Sequence, residues 1–128
     1  HAFLQLVMPP EALADADRDA LAERLAPIFG HDLADQAPVV LRQVAAMMAY
    51  NATSRLRELA GLPTLVVTAA LDRIAPPEIG RAIASAVPGS VYVEIPDASH
   101  GVAIQHAGRI NALLETHFSY ATVQQGGR

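Results

Sequence analysis

The chain has 128 residues, 52% of them hydrophobic and 17% charged, which describes a core-forming chain of single-domain size and not a disordered one. Nine Lys and Arg against thirteen Asp and Glu give a net charge of −4. No basic patch stands out to neutralise phosphates, and no nucleic-acid partner is expected. The absence of cysteine excludes disulfides and cysteine-ligated zinc and is compatible with a cytoplasmic protein.

The opening stretch, "HAFLQLVMPP", has no basic segment ahead of a long apolar core, so it does not read as a signal peptide. A chain that opens on His reads as a fragment, a processed product or an edited sequence. Residues 1–60 read as helices. Asp15 is expected to cap a helix through "ADRDALAERLA", with Leu21 and Leu25 on one face and Pro27 and Gly30 at its end. A second helix runs through "PVVLRQVAAMMAYN", with Pro38 in its first turn and Val40, Val44, Met47 and Met48 at helical spacing. It is apolar over much of its circumference, which predicts burial or a place against a pocket. A short helix follows in "SRLRELA", stopped by Gly61 and Pro63.

From Leu62 the pattern changes. "PTLVVTA" is a short, continuous, β-branched run of the kind that suits a parallel strand covered on both faces. The loop "ALDRIA" leads into a helix through "PPEIGRAIASAV", with Ile79, Ile83 and Val87 on one face. "PGS" turns the chain into a second strand, "VYVEIP", and "DASHG" is the loop after it. An amphipathic helix, "VAIQHAGRINALLETHF", closes the pattern, and the polar tail 120–128 is expected to fray. No apolar run is long enough to span a membrane.

The second half is therefore strand, helix, strand, helix, and a crossover of that kind makes the two strands parallel. Two parallel strands do not make a stable sheet alone. On packing grounds the chain is expected to be part of a larger α/β domain, with an upstream segment or a companion chain supplying the rest. Alone, it is expected to unfold or to aggregate through open strand edges.

In an open α/β sheet, ligands bind beyond the carboxyl ends of the strands. Asp72 lies five residues past Val67, and His100 five past Ile95. Both fall on loops at the same edge of the sheet. A carboxylate there would fix one tautomer of the imidazole and leave its other nitrogen to act as a base. By itself this pattern is weak, since most Asp and His residues on loops are only solvated.

Its context is more specific. The stretch from Leu62 to Phe118, with "PTLVVTAALDRIAPP" and "VYVEIPDASHG" 28 residues apart at Asp72 and His100, resembles the C-terminal segment of the α/β-hydrolase superfamily. The subgroup it is most similar to is that of esterases and 3-oxoadipate enol-lactonases. The resemblance implies an α/β fold: the C-terminal part of a mostly parallel sheet at residues 61–119 with helices on both faces, preceded by a helical cap at 1–60. It also implies that Asp72 is the acid and His100 the general base of a catalytic triad. The nucleophile of this family sits in a G-x-S-x-G elbow ahead of the cap, and the chain has no such motif. Ser85, Ser90 and Ser99 are all poorly placed for that role. "HGVAIQHAGR" also departs from the common pattern, in which an acidic residue and a proline follow the histidine; here stands Gln105 with no proline.

The expected activity is hydrolysis of a small, largely apolar ester or lactone, with no cofactor and no metal. Met47, Met48 and Tyr50 would line an apolar pocket under the cap. The expected partners are that substrate and a complementary N-terminal segment or chain carrying the nucleophile, with no membrane; a homo-oligomer stays open. Other chemistries share the fold: epoxide hydrolysis, dehalogenation, C–C cleavage, cofactor-free haloperoxidase-like activity, or a non-catalytic binding module. His106 and His117 fall at helical positions and read as packing or surface residues, and His31 as a loop residue.

Overall fold

The two β-branched runs form the strands their composition calls for, and they pair in parallel. In the computed structural model, which describes residues 2–29 and 38–126, β1 (Leu65–Ala69) lies beside β2 (Val91–Ile95). Leu65 is in register with Val91, Val67 with Val93 and Ala69 with Ile95. The crossover between them contains α5 (Pro77–Ala86).

Alternation along each strand separates two faces. Ala69 and Ile95, with Val67 and Val93, pack on Ala98, Val102 and Leu113. Leu113 belongs to α7 (Ala107–Gly126), so the last helix covers this face. Ile95 is fully buried, and a side chain of its size contributes about 1.5–3 kcal/mol on burial. The other face carries Thr68, Tyr92 and Glu94 beneath α5. Thr68 and Tyr92 share a hydrogen bond of 2.7 Å, the Tyr92 hydroxyl donates to Glu94 over 2.6 Å, and Arg81 of α5 pairs with the same carboxylate.

The sequence places Ile79, Ile83 and Val87 on one face of the helix, but of the three only Val87 is buried; Ile79 is 51% exposed and Ile83 37%. Pro77 and Gly80 are buried instead. The glycine is the reason. A Cβ at position 80 would stand 2.0 Å from Thr68 Cγ2, so the helix settles on the sheet along a line that only a missing side chain permits.

The first half holds α1 (Ala2–Val7), α2 (Pro10–Ala14), α3 (Arg18–Phe29), α4 (Pro38–Ala49) and a 3-10 helix (Thr53–Leu59). Leu4, Leu13 and Leu25 form a second small core with Met8, Leu21 and Ala22 against it. Asp17, and not Asp15, caps α3: its Oδ1 accepts the Asp19 and Ala20 N–H groups at 3.1 Å. Asp15 instead follows α2, a helix that begins at Pro10 and has its own acidic first turn. Pro27 lies inside α3 and does not end it. Gly30 and His31 lie outside the described residues.

The expected burial of α4 is not observed. Met47 is 74% exposed, Met48 84% and Leu41 75%. An apolar circumference reports surface that burial would stabilise; the cover itself has to come from other elements, and the described ones do not supply it.

The last helix is also two elements, not one. α6 (Val102–Gln105) ends at His106, and α7 starts at Ala107. His106 Nε2 stands 3.5 Å from Asp97 Oδ2. Where a frayed tail was expected from residue 120, α7 continues through Gly126. Among the described residues, no helix is long and apolar enough to cross a membrane.

Candidate active site

The two loops that leave the strands are tied together before either reaches its functional residue. The Ala70 N–H donates to the Ile95 carbonyl and the Leu71 N–H to the Ala98 carbonyl, both over 2.9 Å. Asp72 then turns back, its N–H donating to the Ala69 carbonyl over 3.1 Å. The result is one short shelf beyond the carboxyl ends of both strands, where ligands of open α/β sheets bind.

Asp72 and His100 meet on that shelf. Asp72 Oδ1 accepts the Ile74 N–H at 2.8 Å and the Ala75 N–H at 2.9 Å. Oδ2 lies 2.9 Å from His100 Nδ1. The Asp72 side chain is 9% exposed and that of His100 42%. Burial pushes the Asp72 pKa up, but the hydrogen bonds from Ala75, His100 and Ile74 and the charge attraction of His100 outweigh it and hold the group below its ordinary value. Asp72 is therefore an anion at neutral pH and can only accept. That settles the tautomer: Nδ1 carries the proton, and Nε2 of a neutral ring keeps a lone pair.

The backbone around His100 is held as closely. Ala98 is fully buried and Ser99 3% exposed. The Ser99 N–H donates to Gln105 Oε1 over 3.1 Å, and the Gly101 N–H to the Val7 carbonyl over 2.7 Å. The sequence pattern does not point to Gln105 or Val7 as contacts of the histidine loop. Nothing in the spacing marks them, because one contact runs from a helix side chain back into the preceding loop and the other joins residues far apart in the chain.

Residues 30–128 match the family model described as TAP-like protein. The chain belongs to this family of α/β hydrolases. Over 80 residues it is 30% identical to a Klebsiella pneumoniae protein provisionally named carbamate hydrolase RutD, a match covering 62% of this chain and 30% of that protein. Over 57 residues it is 35% identical to a Mycobacterium tuberculosis protein provisionally named non-heme bromoperoxidase BpoC, covering 44% of this chain and 22% of that one. The solved structure of Rv0554 from Mycobacterium tuberculosis superposes on 84% of this chain and 53% of its own, with a TM-score of 0.53 at 21% identity, which is a likeness of fold. The chain thus spans less than a third of the length of these two curated relatives.

Among the residues singled out from the sequence, the structure brings Asp72 and His100 together. Met47 and Met48 lie exposed on α4, and Tyr50, 71% exposed, just past its end, so they line no enclosed pocket among the described residues. Ser85 and Ser90 spend their hydroxyls on carbonyls, donating to Arg81 O and Ala84 O at 2.8 Å. Ser99 Oγ is buried with no hydrogen-bond partner among the described residues. None of these three is presented to the exposed imidazole as a nucleophile should be.

Proposed function

We propose that this chain carries the acid and the base of a serine hydrolase that cleaves a small, largely apolar ester or lactone. The 2.9 Å contact between Asp72 Oδ2 and His100 Nδ1 is the observation that supports this most directly. The serine would come from a part of the protein outside these residues, as the share of each relative that is matched allows. His100 Nε2 would take the serine proton as Oγ attacks the carbonyl carbon, then give it to the departing alkoxide. In the second half of the reaction it would take a proton from water, which attacks the acyl-enzyme, and return that proton to the serine. Asp72 would stay ionised throughout, holding the ring and stabilising the imidazolium. Residues 1–60 would form the cap over this site, with Met47, Met48 and Tyr50 as apolar surface for the substrate once the remaining segment covers them. A cytoplasmic location belongs to this reading, and the lack of cysteine is compatible with it.

A carbamate, the substrate class in the name of one relative, is a related acyl compound and falls within the same mechanism. The likeness to a protein named bromoperoxidase favours a second reading, cofactor-free haloperoxidase-like chemistry on the same pair. A fluorophosphonate probe on the full-length protein is the test. Labelling that disappears in His100→Ala is expected. A folded full-length protein that never labels removes the serine reading, and halide-dependent bromination without ester turnover would favour the second one.

A further inference from the structure

The residues on either side of His100 are each held by a hydrogen bond from a different element. The Gly101 N–H is taken by the Val7 carbonyl of α1, and the Ser99 N–H by the Gln105 side chain of α6. Ala98, just before them, is fixed to the acid loop through Leu71. Within this stretch Ala98, Ser99 and Gly101 are buried, and only His100 turns an exposed side chain outward.

Gln105 is an expensive residue for this position. Its Nε2 is buried and has no hydrogen-bond partner among the described residues, as has the neighbouring Ser99 Oγ. A buried polar group without a partner destabilises the fold relative to an apolar side chain of the same shape. As a space filler, Gln is therefore worse than Met. What it has that Met lacks is the acceptor oxygen on the Ser99 N–H. The same bond fixes which end of the amide faces the loop, because Nε2 in that place would set donor against donor. Gln105 stands in the first turn of α6, where side chains lean toward the helix N-terminus, so its amide reaches back over the loop that precedes the helix.

We infer that Gln105 is a positioning residue, whose side-chain oxygen fixes the peptide ahead of His100 and so holds the imidazole in line with Asp72. Its catalytic consequence rests on the serine-hydrolase reading; its effect on the Asp72–His100 contact does not. An imidazole displaced by about an ångström loses on the order of 10- to 100-fold in rate.

The test uses the full-length protein and two readouts: the proton resonance of the His100 Nδ1–H in contact with Asp72, by NMR, and the rate of fluorophosphonate labelling. Gln105→Asn shortens the side chain so that the acceptor no longer reaches. It is expected to broaden or abolish the resonance and to slow labelling on the order of 10- to 100-fold. Gln105→Glu keeps an oxygen at full reach and is expected to restore both. Should the Asn variant fail to fold, Gln105→Met, which keeps the length without an acceptor, is read in its place. A wild-type resonance in the Asn or Met variant overturns the inference, and so does a Glu variant as impaired as they are. A wild-type protein that shows the resonance but never labels defeats the hydrolase reading alone, and the resonance then still decides the role of Gln105.

Discussion

The Val7 carbonyl and the Gly101 amide meet at 2.7 Å, which ties the C-terminal end of α1 to the residue following His100. The helical first half is thereby linked to the loop on which the base sits. Gly101 has φ −81, a backbone conformation open to any residue, so its requirement is space and not flexibility. A Cβ there would stand 2.4 Å from the Val7 oxygen. Gly101→Ala is expected to break this bond, push α1 away and destabilise the full-length protein by about 1–3 kcal/mol. Chemical unfolding measures it; a change within about 0.5 kcal/mol would mean that the link carries nothing.

The Asp72 carboxylate has two separable tasks. Oδ1 closes its own loop on Ile74 and Ala75, while Oδ2 faces the imidazole. Asp72→Asn divides them. The amide oxygen is needed for the two backbone N–H groups, so the NH2 must face His100 Nδ1 and donate to it. The ring proton then moves to Nε2, the atom that has to be free. The fold should persist, while labelling and ester turnover should fall on the order of 10⁴-fold, as a wrong tautomer does in serine proteases. An Asn variant that retains activity would show that the contact does not orient a base.

That pair was readable in the sequence for a physical reason. Strands composed of Leu65–Ala69 and Val91–Ile95 can hardly be anything else, parallel pairing puts their carboxyl ends Ala69 and Ile95 side by side, and Asp72 and His100 both fall on the short loops just past those ends. The contacts that hold the pair were not readable. Gln105 reaches the Ser99 N–H by leaning back from the first turn of α6, and the helical period from Val102 to Phe118 does not mark a contact made back into the loop ahead of the helix. The cap of α3 falls on Asp17 because Asp15 closes α2, and two aspartates two positions apart give equal signals. For α4, the pattern shows an apolar surface but cannot show what covers it.

The pH dependence follows from the Asp72 carboxyl, held below its ordinary value of 3.8. Just below that value the unfolded chain binds a proton that the folded protein does not, so stability rises with pH there. The contribution is fully present above 3.8 and is lost as pH falls through the lower folded value. Urea unfolding of the full-length protein at a series of acidic pH values should therefore show falling stability in that window. Asp72→Asn should show a shallower fall, having no carboxyl to protonate. Parallel curves for the two proteins would mean that Asp72 is not held in its ionised form by the fold.

The packing of α5 gives a prediction independent of any chemistry at the shelf. Gly80 sits over Thr68, and the clash an added methyl would meet is with a single atom, Cγ2, at 2.0 Å; the next neighbours, Thr68 Cβ and Tyr92 Cε2, lie at ordinary contact distances of 3.5 and 3.6 Å. Gly80→Ala should therefore destabilise by overpacking, about 1–3 kcal/mol. Thr68→Ser removes Cγ2 while keeping the hydroxyl that meets Tyr92, so the polar network beneath α5 survives. Added to Gly80→Ala, it should recover most of the loss, and the double-mutant cycle should give a favourable coupling between the two sites. Additive effects would place the strain of Gly80→Ala somewhere other than against Thr68.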